Sequence, residues 1–580
     1  MRLRRVATAV VLVGLLPACS SIGRDTGSPP KAPAAAHRGG VLRVGITAPG
    51  GIDPTDAYEA AGKLVSATMC DTLVAVDPET GQLREALAQG WVVPDGSSLT
   101  LKLRHGVHFT NGAELRATDV NYTLQQLVSP TSATYAAGLG KQFLSAASFS
   151  NKQPDLLADP DKAADVAFTV NRYDLQLVTR APDGGAVRSF AEPAMAPISR
   201  TAHLADPAAA AGTPVCVGPY VLASPYKSGD RQIRLTRAKT YYGENAGYTG
   251  GGHGYADEID FTIFPTAAAA LEAYRKGQVD VVRVPRDLVA GTTDAASRVF
   301  GLGTGVEYVG LPGESTGPFS DVDVRLALSQ SIDRNALVSK VFGPAAVPAS
   351  GFEPPALEIG KGKSLAGKTL TGVRLASCGT STPATPDLQS ARAHLAAAAA
   401  RPGATRFTGF TLEVNDDAPY PALARELAAQ WKSGLGLDVK VVTTPWNAYV
   451  QQAGSSTGFT SPFRIRWATD ATSPATTFNG EGSFLSSLFS ADNTALANWA
   501  HYADRAFSFG LTSGAETATD VGVMGASYAA LAGQLCKQMP LIPVVFDRPT
   551  YLVRASKIGS ARAVPVGRDG VLLLRELYLR

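Results

Sequence analysis

The amino-acid sequence predicts an α/β protein of at least two lobes, in which helices flank mixed sheets. Its 580 residues are more than one hydrophobic core usually serves. In the second half of the chain, helical and strand patterns alternate. Residues 390–400 and 420–433 have helical spacing, whereas residues 410–414 and 437–442 are short runs typical of strands. This alternation indicates a parallel or mixed sheet covered by helices.

Residues 87–127 contain the strongest local pattern of the first half. Leucines alternate with polar residues over residues 99–104, which is the period of a half-buried strand. Two glycine-containing turns enclose residues 107–109, for which a second short strand is predicted. A helix is expected from about Ala117, with Asp119 in its first turn, where a carboxylate suits the positive end of the helix dipole.

The N-terminus has the pattern of a targeting segment. Arginines near the start precede an apolar run over residues 6–16, which is too short to span a bilayer and is typical of a signal peptide. The sequence LPAC at residues 16–19 resembles a lipobox, in which the Cys19 sulfur receives a diacylglycerol. We therefore expect a signal peptide over 1–18, a Ser-, Gly-, Pro- and Ala-rich tether over 19–39, and a protein anchored by lipid to the outer face of a cell membrane. A plain secretory signal with a chance cysteine is the alternative.

Short motifs mark residues 87–127 and the region after residue 214. They are Trp91, Asp95-Gly96, Leu103-Arg104, Gly106-Val107, Phe109, Asn111-Gly112 and Asp119-Val120, followed by Gly218-Pro219-Tyr220 and then by Gly277, Val279 and Asp280. In this order they resemble the signature of the family-5 extracytoplasmic solute-binding proteins, the peptide receptors of ATP-driven (ABC) importers. One departure is Arg116, where the family usually has Thr or Ser as a helix cap.

The resemblance extends from residue 40 to the C-terminus and implies a two-lobed periplasmic-binding-protein-like fold. This fold is of type II, in the large cluster that carries an extra subdomain in the first lobe. The implied divisions are a first lobe over 40–305 with an inserted subdomain at about 75–185, a second lobe over 306–542, and a return to the first lobe over 543–580.

Four cysteines follow the lipobox, and in an exported chain they suggest two disulfides, with buried free thiols as the alternative. They are Cys70, Cys216, Cys378 and Cys536. With the lobes implied by the resemblance, only the pairing of Cys70 with Cys216 and of Cys378 with Cys536 leaves no bridge across the cleft. A bridge across the cleft would obstruct closure, so we expect these two pairs.

The resemblance also implies a ligand site around residues 464–474. Asp470 falls where the peptide receptors place a carboxylate against the peptide α-ammonium, and Trp467 falls on the Trp that walls the pocket. Arg464 matches an Arg that meets a peptide carboxylate. Trp446 and Tyr449 are further candidates for the wall. On the motif alone, Trp467 could equally be a core residue and Asp470 a loop cap.

The residues give little support for catalysis, metal binding or nucleic-acid binding. Residues 313–317 match the nucleophile-elbow pattern of hydrolases, but Pro318 disfavours the helix that this motif needs. The seven histidines are scattered without metal-ligand spacing. A net charge of +3 gives no reason to expect a nucleic-acid partner.

We therefore expect a lipid-anchored, monomeric substrate-binding protein of an ABC transporter. It would capture short peptides between its lobes, deliver them to permease subunits, and use no catalytic residue, cofactor or metal. Two alternatives keep the same fold: binding of another solute such as a nickel complex or a sugar, and a regulatory or envelope-assembly lipoprotein without a transport role. An exported hydrolase is a more distant alternative.

Overall fold

Two large mixed sheets and one smaller antiparallel sheet organise the protein. The structure is a computed structural model, and it describes most of the chain after residue 36. The described residues are 37–57, 59–94, 98–128, 168–179, 185–244, 254–292, 297–312, 317–358, 360, 362–363, 369–370, 372, 374–402, 407–455, 458–468, 481–491, 498–515, 518, 520–562 and 565–580. Among these residues, no helix has both the length and the apolar character needed to cross a bilayer.

The strands are numbered in chain order. They are β1 Val41–Thr47, β2 Val74–Val76, β3 Leu83–Glu85, β4 Ala88–Val92, β5 Ser98–Leu103, β6 Phe168–Thr169, β7 Asp174–Val178, β8 Tyr220–Leu222, β9 Gln232–Arg237, β10 Glu258–Phe264, β11 Val281–Arg283, β12 Arg298–Phe300, β13 Gly305–Gly310, β14 Ala346–Pro348, β15 Gly362–Lys363, β16 Thr369–Leu370, β17 Gly409–Asn415, β18 Asp438–Thr444, β19 Phe463–Ala468, β20 Leu541–Asp547, β21 Thr550–Val553, β22 Ile558–Ser560 and β23 Leu577–Leu579.

The α-helices lie mainly between these strands. They are Ala60–Met69, Ala117–Val128, Arg200–Ala205, Pro207–Ala210, Ala267–Arg275, Val322–Gln330, Arg334–Leu337, Leu388–Ala399, Tyr420–Leu435, Trp446–Ala453, Glu481–Phe489, Arg505–Gly510 and Val521–Gln538.

The first lobe is built on a seven-stranded sheet in the order β12-β21-β11-β1-β10-β9-β8. At its centre, β1 runs parallel to both β10 and β11, whereas β9 and β21 are antiparallel to their neighbours. Leu42 and Val44 of β1 are fully buried between the sheet and the helices that cover it. Parallel pairing of this kind needs crossover connections, and here they include the helix Ala267–Arg275 between β10 and β11.

The second lobe is built on a six-stranded sheet in the order β14-β20-β13-β19-β17-β18. The helix Tyr420–Leu435 connects the parallel strands β17 and β18 and buries Trp431 completely. Gly436 follows this helix with φ of 76°, a left-handed conformation that glycine adopts without steric cost. The two-lobed α/β fold with mixed sheets is therefore confirmed.

The chain passes between the two sheets at two places, over residues 301–304 and over residues 548–549. The second passage lies later than the sequence analysis placed it, because β20 stays in the second sheet through Asp547. All seven residues of β20 are buried, and Asp547 is paired with Gly305 of β13 and with Ala346 of β14. Because residues 541–546 of this strand are all apolar, its sequence does not indicate where the second lobe ends.

The inserted subdomain has a four-stranded sheet in the order β4-β5-β7-β6, against which the helix Ala117–Val128 packs. Its hydrophobic core reaches from Leu73 to Val217, so it extends beyond the expected range of 75–185. The strand expected at residues 107–109 is reduced to an isolated bridge between His108 and Glu114.

Arg116 stands where the family usually has a Thr or Ser as helix cap, and Asp119 of the following helix contacts its backbone. The Asp119 carboxylate accepts hydrogen bonds from the backbone N–H groups of Arg116 and Arg200, each at 3.0 Å. Asp119 therefore forms the half of a capping box in which the third helical residue accepts from the N–H of the residue before the helix.

Both expected disulfides are confirmed. One joins Cys70 to Cys216 and the other joins Cys378 to Cys536. The first lies in the core of the first lobe and the second in the core of the second lobe. Neither bridge crosses the cleft.

Candidate functional site

A cavity of about 460 Å3 lies between the two lobes, beside both passages of the chain. Residues 45–47 and 282–287 form its wall on the first lobe, and residues 418–420 with Arg466 and Asp547 form its wall on the second lobe. Concave sites at a domain interface are the usual places for small ligands. A ligand bound in this cavity would contact both lobes.

Glu307 in β13 is the anionic centre of the second-lobe wall. Its side chain is fully buried and receives two hydrogen bonds from Arg464 of β19, at 3.0 and 3.1 Å. Arg286, which follows β11 of the first lobe, donates a third at 2.7 Å. Burial alone would raise the pKa of Glu307, but the charges of Arg464 and Arg286 outweigh burial and lower this pKa to about 2. Glu307 is therefore ionised and holds both arginines.

Asp547, at the end of β20, pairs with Arg466. The Arg466 Nε atom lies 2.7 Å from the Asp547 Oδ2 atom, and the Nη1 atom of Arg286 lies 3.8 Å from the same oxygen. The strand register explains this grouping, because Arg466 is opposite Glu307 across the β13–β19 pair and Asp547 is opposite Gly305 across the β13–β20 pair. Neighbouring strands thus bring alternating charges together at one edge of the cavity.

Tyr420, the first residue of the helix Tyr420–Leu435, lies between the arginines. The Arg464 guanidinium carbon is 3.5 Å from the centre of its ring, a cation–π contact. The Tyr420 hydroxyl accepts a hydrogen bond from Arg286 at 3.0 Å. Because Arg286 comes from the first lobe, it links that lobe to both Glu307 and Tyr420 of the second.

A second cavity of about 470 Å3 adjoins the first, and Tyr420 and Arg466 line both. Three of the five tryptophans of the chain line it, namely Trp446, Trp467 and Trp499. Trp446 is 45% exposed, and the buried Nε1 atom of Trp467 has no acceptor among the described residues. Indole rings offer large apolar surfaces with a hydrogen-bond donor. This aromatic pocket therefore combines apolar walls with neighbouring guanidinium groups.

The structure brings some of the predicted ligand-binding residues together and separates others. Trp446 and Trp467 line the aromatic pocket, as do atoms of Arg464. However, the Arg464 fork is already paired with Glu307, so it differs from an arginine whose fork is open to a ligand carboxylate. Asp470 lies outside the described residues.

Tyr449 is a core residue and not part of the pocket wall. Its side chain is fully buried, and its hydroxyl donates to the backbone oxygen of Arg464 at 2.6 Å and accepts from the backbone nitrogen of Arg464 at 2.9 Å. It therefore fastens the helix Trp446–Ala453 to β19. The two rings are neighbours, with centres 6.5 Å apart, but Trp446 at the first position of the helix lines the pocket, whereas Tyr449 is packed in the core.

Several residues of the site were not singled out from the sequence, among them Arg286, Glu307, Asp547, Tyr420 and Trp499. A carboxylate within an apolar strand, as in the sequence GVEYVG of β13, is a signal that could have identified Glu307, because buried carboxylates need partners. Trp499 follows a stretch without periodic pattern, and no sequence signal indicates its position.

The described residues include no arrangement typical of catalysis. Residues 313–316 of the nucleophile-elbow pattern lie outside them, and Gly317 precedes only a short 3₁₀ helix, Pro318–Ser320. The His394 Nδ1 atom lies 2.7 Å from a carboxylate oxygen of Asp323, and this contact involves no Ser or Cys side chain. Nor do the described residues contain a group of three or more His, Cys, Asp or Glu side chains that could hold a metal ion.

Comparison with known proteins extends these observations. The family described as bacterial extracellular solute-binding proteins, family 5 (middle part), matches residues 82–483. The periplasmic murein peptide-binding protein MppA of Escherichia coli K12 is 25% identical over 504 residues, which cover 86% of this chain and 85% of MppA. The probable deoxycholate-binding periplasmic protein YgiS of the same organism is 24% identical over 537 residues, which cover 92% of each chain.

Solved structures agree in fold. The unliganded open form of the murein tripeptide-binding protein MppA superimposes with a TM-score of 0.73 at 20% sequence identity, covering 94% of this chain and 99% of MppA. The similarity therefore includes both lobes and the subdomain.

Proposed function

Because the chain belongs to the family-5 bacterial extracellular solute-binding proteins, we propose that it captures short peptides between its lobes and delivers them to an ATP-driven importer. Like its relatives, it is a binding protein and not an enzyme. The observation that carries the proposal is the cavity between the two lobes, with the Glu307–Arg464–Arg286 cluster across the interface and the aromatic pocket of the second lobe beside it. Two passages of the chain connect these lobes and can act as a hinge.

The chemistry of this cleft suits a peptide. A peptide offers charged ends, a backbone of donors and acceptors, and side chains of variable shape. Indole walls can cover apolar side chains of many shapes. Arg286, Arg464 and Arg466 are neutralised by Glu307 and Asp547, so these three arginines are not left unpaired when the cleft is empty.

The relatives differ in the ligands that their names give, a murein peptide for MppA and deoxycholate for YgiS. The same fold therefore accommodates different ligands. We favour a peptide because residues 464–474 resemble the peptide-receptor stretch. In that stretch, Asp470 would bind the α-ammonium of the ligand.

Calorimetry with Asp470→Ala tests this proposal. Peptides that copurify with the wild-type protein are first released under denaturing conditions, identified by mass spectrometry and resynthesised with free and N-acetylated termini. In a closed cleft, loss of one partner leaves the other charge buried and unpaired, which costs roughly 2–5 kcal/mol, or about 30- to several-thousand-fold in affinity. Both Asp470→Ala and N-acetylation should weaken binding by this factor.

A matched control is Asp438→Ala, which removes a carboxylate of the same lobe whose side chain is 78% exposed and paired with Lys432. This variant should bind like the wild type. Equal affinity for free and acetylated peptides would contradict the Asp470 assignment, and failure to bind any peptide would refute the peptide proposal.

We also propose that Cys19 carries a lipid, which would hold the protein at the outer face of the membrane next to its permease. The sequence LPAC at residues 16–19 supports this. The tether that follows would let the lobes reach the permease from a fixed anchor.

A further inference from the structure

Arg548 lies on the second passage between the lobes and lines the 460 Å3 cavity. Its backbone N–H donates to the backbone oxygen of Ala345 at 2.7 Å, which fixes this part of the chain. Its guanidinium carbon lies 4.2 Å from the centre of the Phe300 ring, and the residue is half-buried. The side chain is thus held against one wall of the cavity.

Among the described residues, no carboxylate lies within ion-pair distance of Arg548. Burial lowers the pKa of its guanidinium, and no neighbouring anion opposes this effect. Arginine nevertheless keeps its charge at physiological pH. A half-buried cation loses part of its hydration, and a cation–π contact with one aromatic ring offsets this loss only in part.

The remaining charges of the cavity do not compensate Arg548. Arg286 and Arg466 are already paired with Glu307 and Asp547. Arg283 is exposed on the same cavity and likewise has no ion pair among the described residues, and Asp287 is the other described carboxylate of the lining. The described lining contains four arginines and two carboxylates, and the buried Glu307 beside it neutralises Arg286. One positive charge therefore remains in excess, which favours an anionic ligand group.

We propose that Arg548 binds a carboxylate of the ligand, so that this protein selects peptides that present an acidic group towards the second passage between the lobes. The proposal rests on the proposed function and makes it more specific. A guanidinium fork matches a carboxylate with two parallel hydrogen bonds. Because Tyr420 and Arg466 line both cavities, one ligand can place an apolar side chain in the aromatic pocket and a carboxylate at Arg548.

The carboxylate could come from an Asp or Glu side chain or from the C-terminus of the peptide. Four equimolar tripeptide pools separate these sources: pools with one Asp or Glu and matched pools with Asn or Gln, each with a free or an amidated C-terminus. Equilibrium dialysis against wild-type protein, read by mass spectrometry, measures which peptides are retained. Preference for Asp and Glu identifies the side chain, and preference for free termini identifies the C-terminus.

The variant Arg548→Gln should reduce the affinity for the preferred acidic peptides by roughly ten- to a hundred-fold, as expected for loss of a charged hydrogen-bond partner. It should change the affinity for neutral, amidated peptides little. The matched control is Arg374→Gln, which removes an arginine whose side chain is 94% exposed and should leave all affinities unchanged. Melting curves show whether each variant is folded.

A measurement on the wild type does not depend on any variant. Affinity for an acidic peptide should fall more steeply with sodium chloride concentration than affinity for its neutral partner, because salt screens the interaction of Arg548 with the carboxylate.

Three outcomes would overturn the inference, and they differ from one another. If no pool is retained, the peptide proposal fails and this inference fails with it. If all four pools are retained equally, with equal salt dependence, the acidic preference is refuted while peptide binding stands. If the preference exists but Arg548→Gln leaves it unchanged, another residue binds the carboxylate.

Discussion

Replacing Glu307 by Gln should destabilise the second lobe by about 3 kcal/mol. The substitution keeps the shape of the side chain but removes the charge shared by Arg464 and Arg286, whose side chains are only 6% and 17% exposed. Both guanidinium groups would then lie close together with their common anion removed. Breaking a buried ion pair by removal of one partner typically costs about 3–5 kcal/mol.

The lowered pKa of Glu307 corresponds to a stabilising free energy of similar size. This pKa falls from 4.5 to about 2 on folding, and at about 1.4 kcal/mol for each pKa unit this corresponds to roughly 3 kcal/mol. Since the folded-state pKa is the lower one, this contribution is fully present above the unfolded-state pKa of 4.5. It is lost as the pH falls from 4.5 towards 2. The difference in stability between wild type and variant should therefore shrink in acid.

Urea titration followed by tryptophan fluorescence measures this difference. Four of the five tryptophans, Trp431, Trp446, Trp467 and Trp499, belong to the second lobe, so the signal reports mainly the lobe that contains Glu307. The control Glu426→Gln removes a carboxylate paired with the 60% exposed Lys340 side chain and should cost under about 1 kcal/mol. A difference between wild type and Glu307→Gln that stays constant from pH 7 to pH 3, or one no larger than that of the control, would refute the reasoning.

Three further predictions concern the anchor, a buried acid and the aromatic pocket. Cys19→Ala should move the protein from the membrane fraction to the soluble fraction, and a wild-type protein that is already soluble would contradict the lipid anchor. Burial raises the pKa of Glu353 from 4.5 to about 8, so Glu353 destabilises the folded state increasingly as the pH rises from 4.5 to 8. Glu353→Gln should therefore raise the urea midpoint of the second lobe more at pH 8 than at pH 5. An equal effect at both pH values would contradict this prediction. Trp446→Ala and Trp499→Ala should each weaken peptide binding about tenfold or more in calorimetry, and unchanged affinity would exclude that tryptophan from the site.

Much of the scaffold could be predicted because its signals are local. The helix that begins at Tyr420 and the strand that ends at Asn415 follow from periodic patterns in adjacent residues. The subdomain boundary was less predictable, because Val217 joins its core from a distant part of the chain. Periodicity contains no information about such contacts.

The candidate site was predicted only in part, because its charges are paired across strands that are far apart in sequence. The sequence indicated Arg464 as a ligand-binding residue, but it could not indicate that Glu307 would occupy its guanidinium fork. The same limit applies to Asp547, which reaches Arg466 only through the register of three neighbouring strands. Trp467 was proposed from a family motif and Trp446 as a further candidate for the wall, whereas Trp499 has no such motif.

The late return of the chain to the first lobe has a consequence for biosynthesis. In the second lobe β20 lies between β14 and β13, and in the first lobe β21 lies between β12 and β11. Ribosomes make the chain from its N-terminus, so both sheets lack an interior strand until residues 541–553 have been synthesised. A nascent or prematurely terminated chain that ends before residue 541 would expose unpaired strand edges in both lobes at once, which makes it prone to aggregation and to degradation.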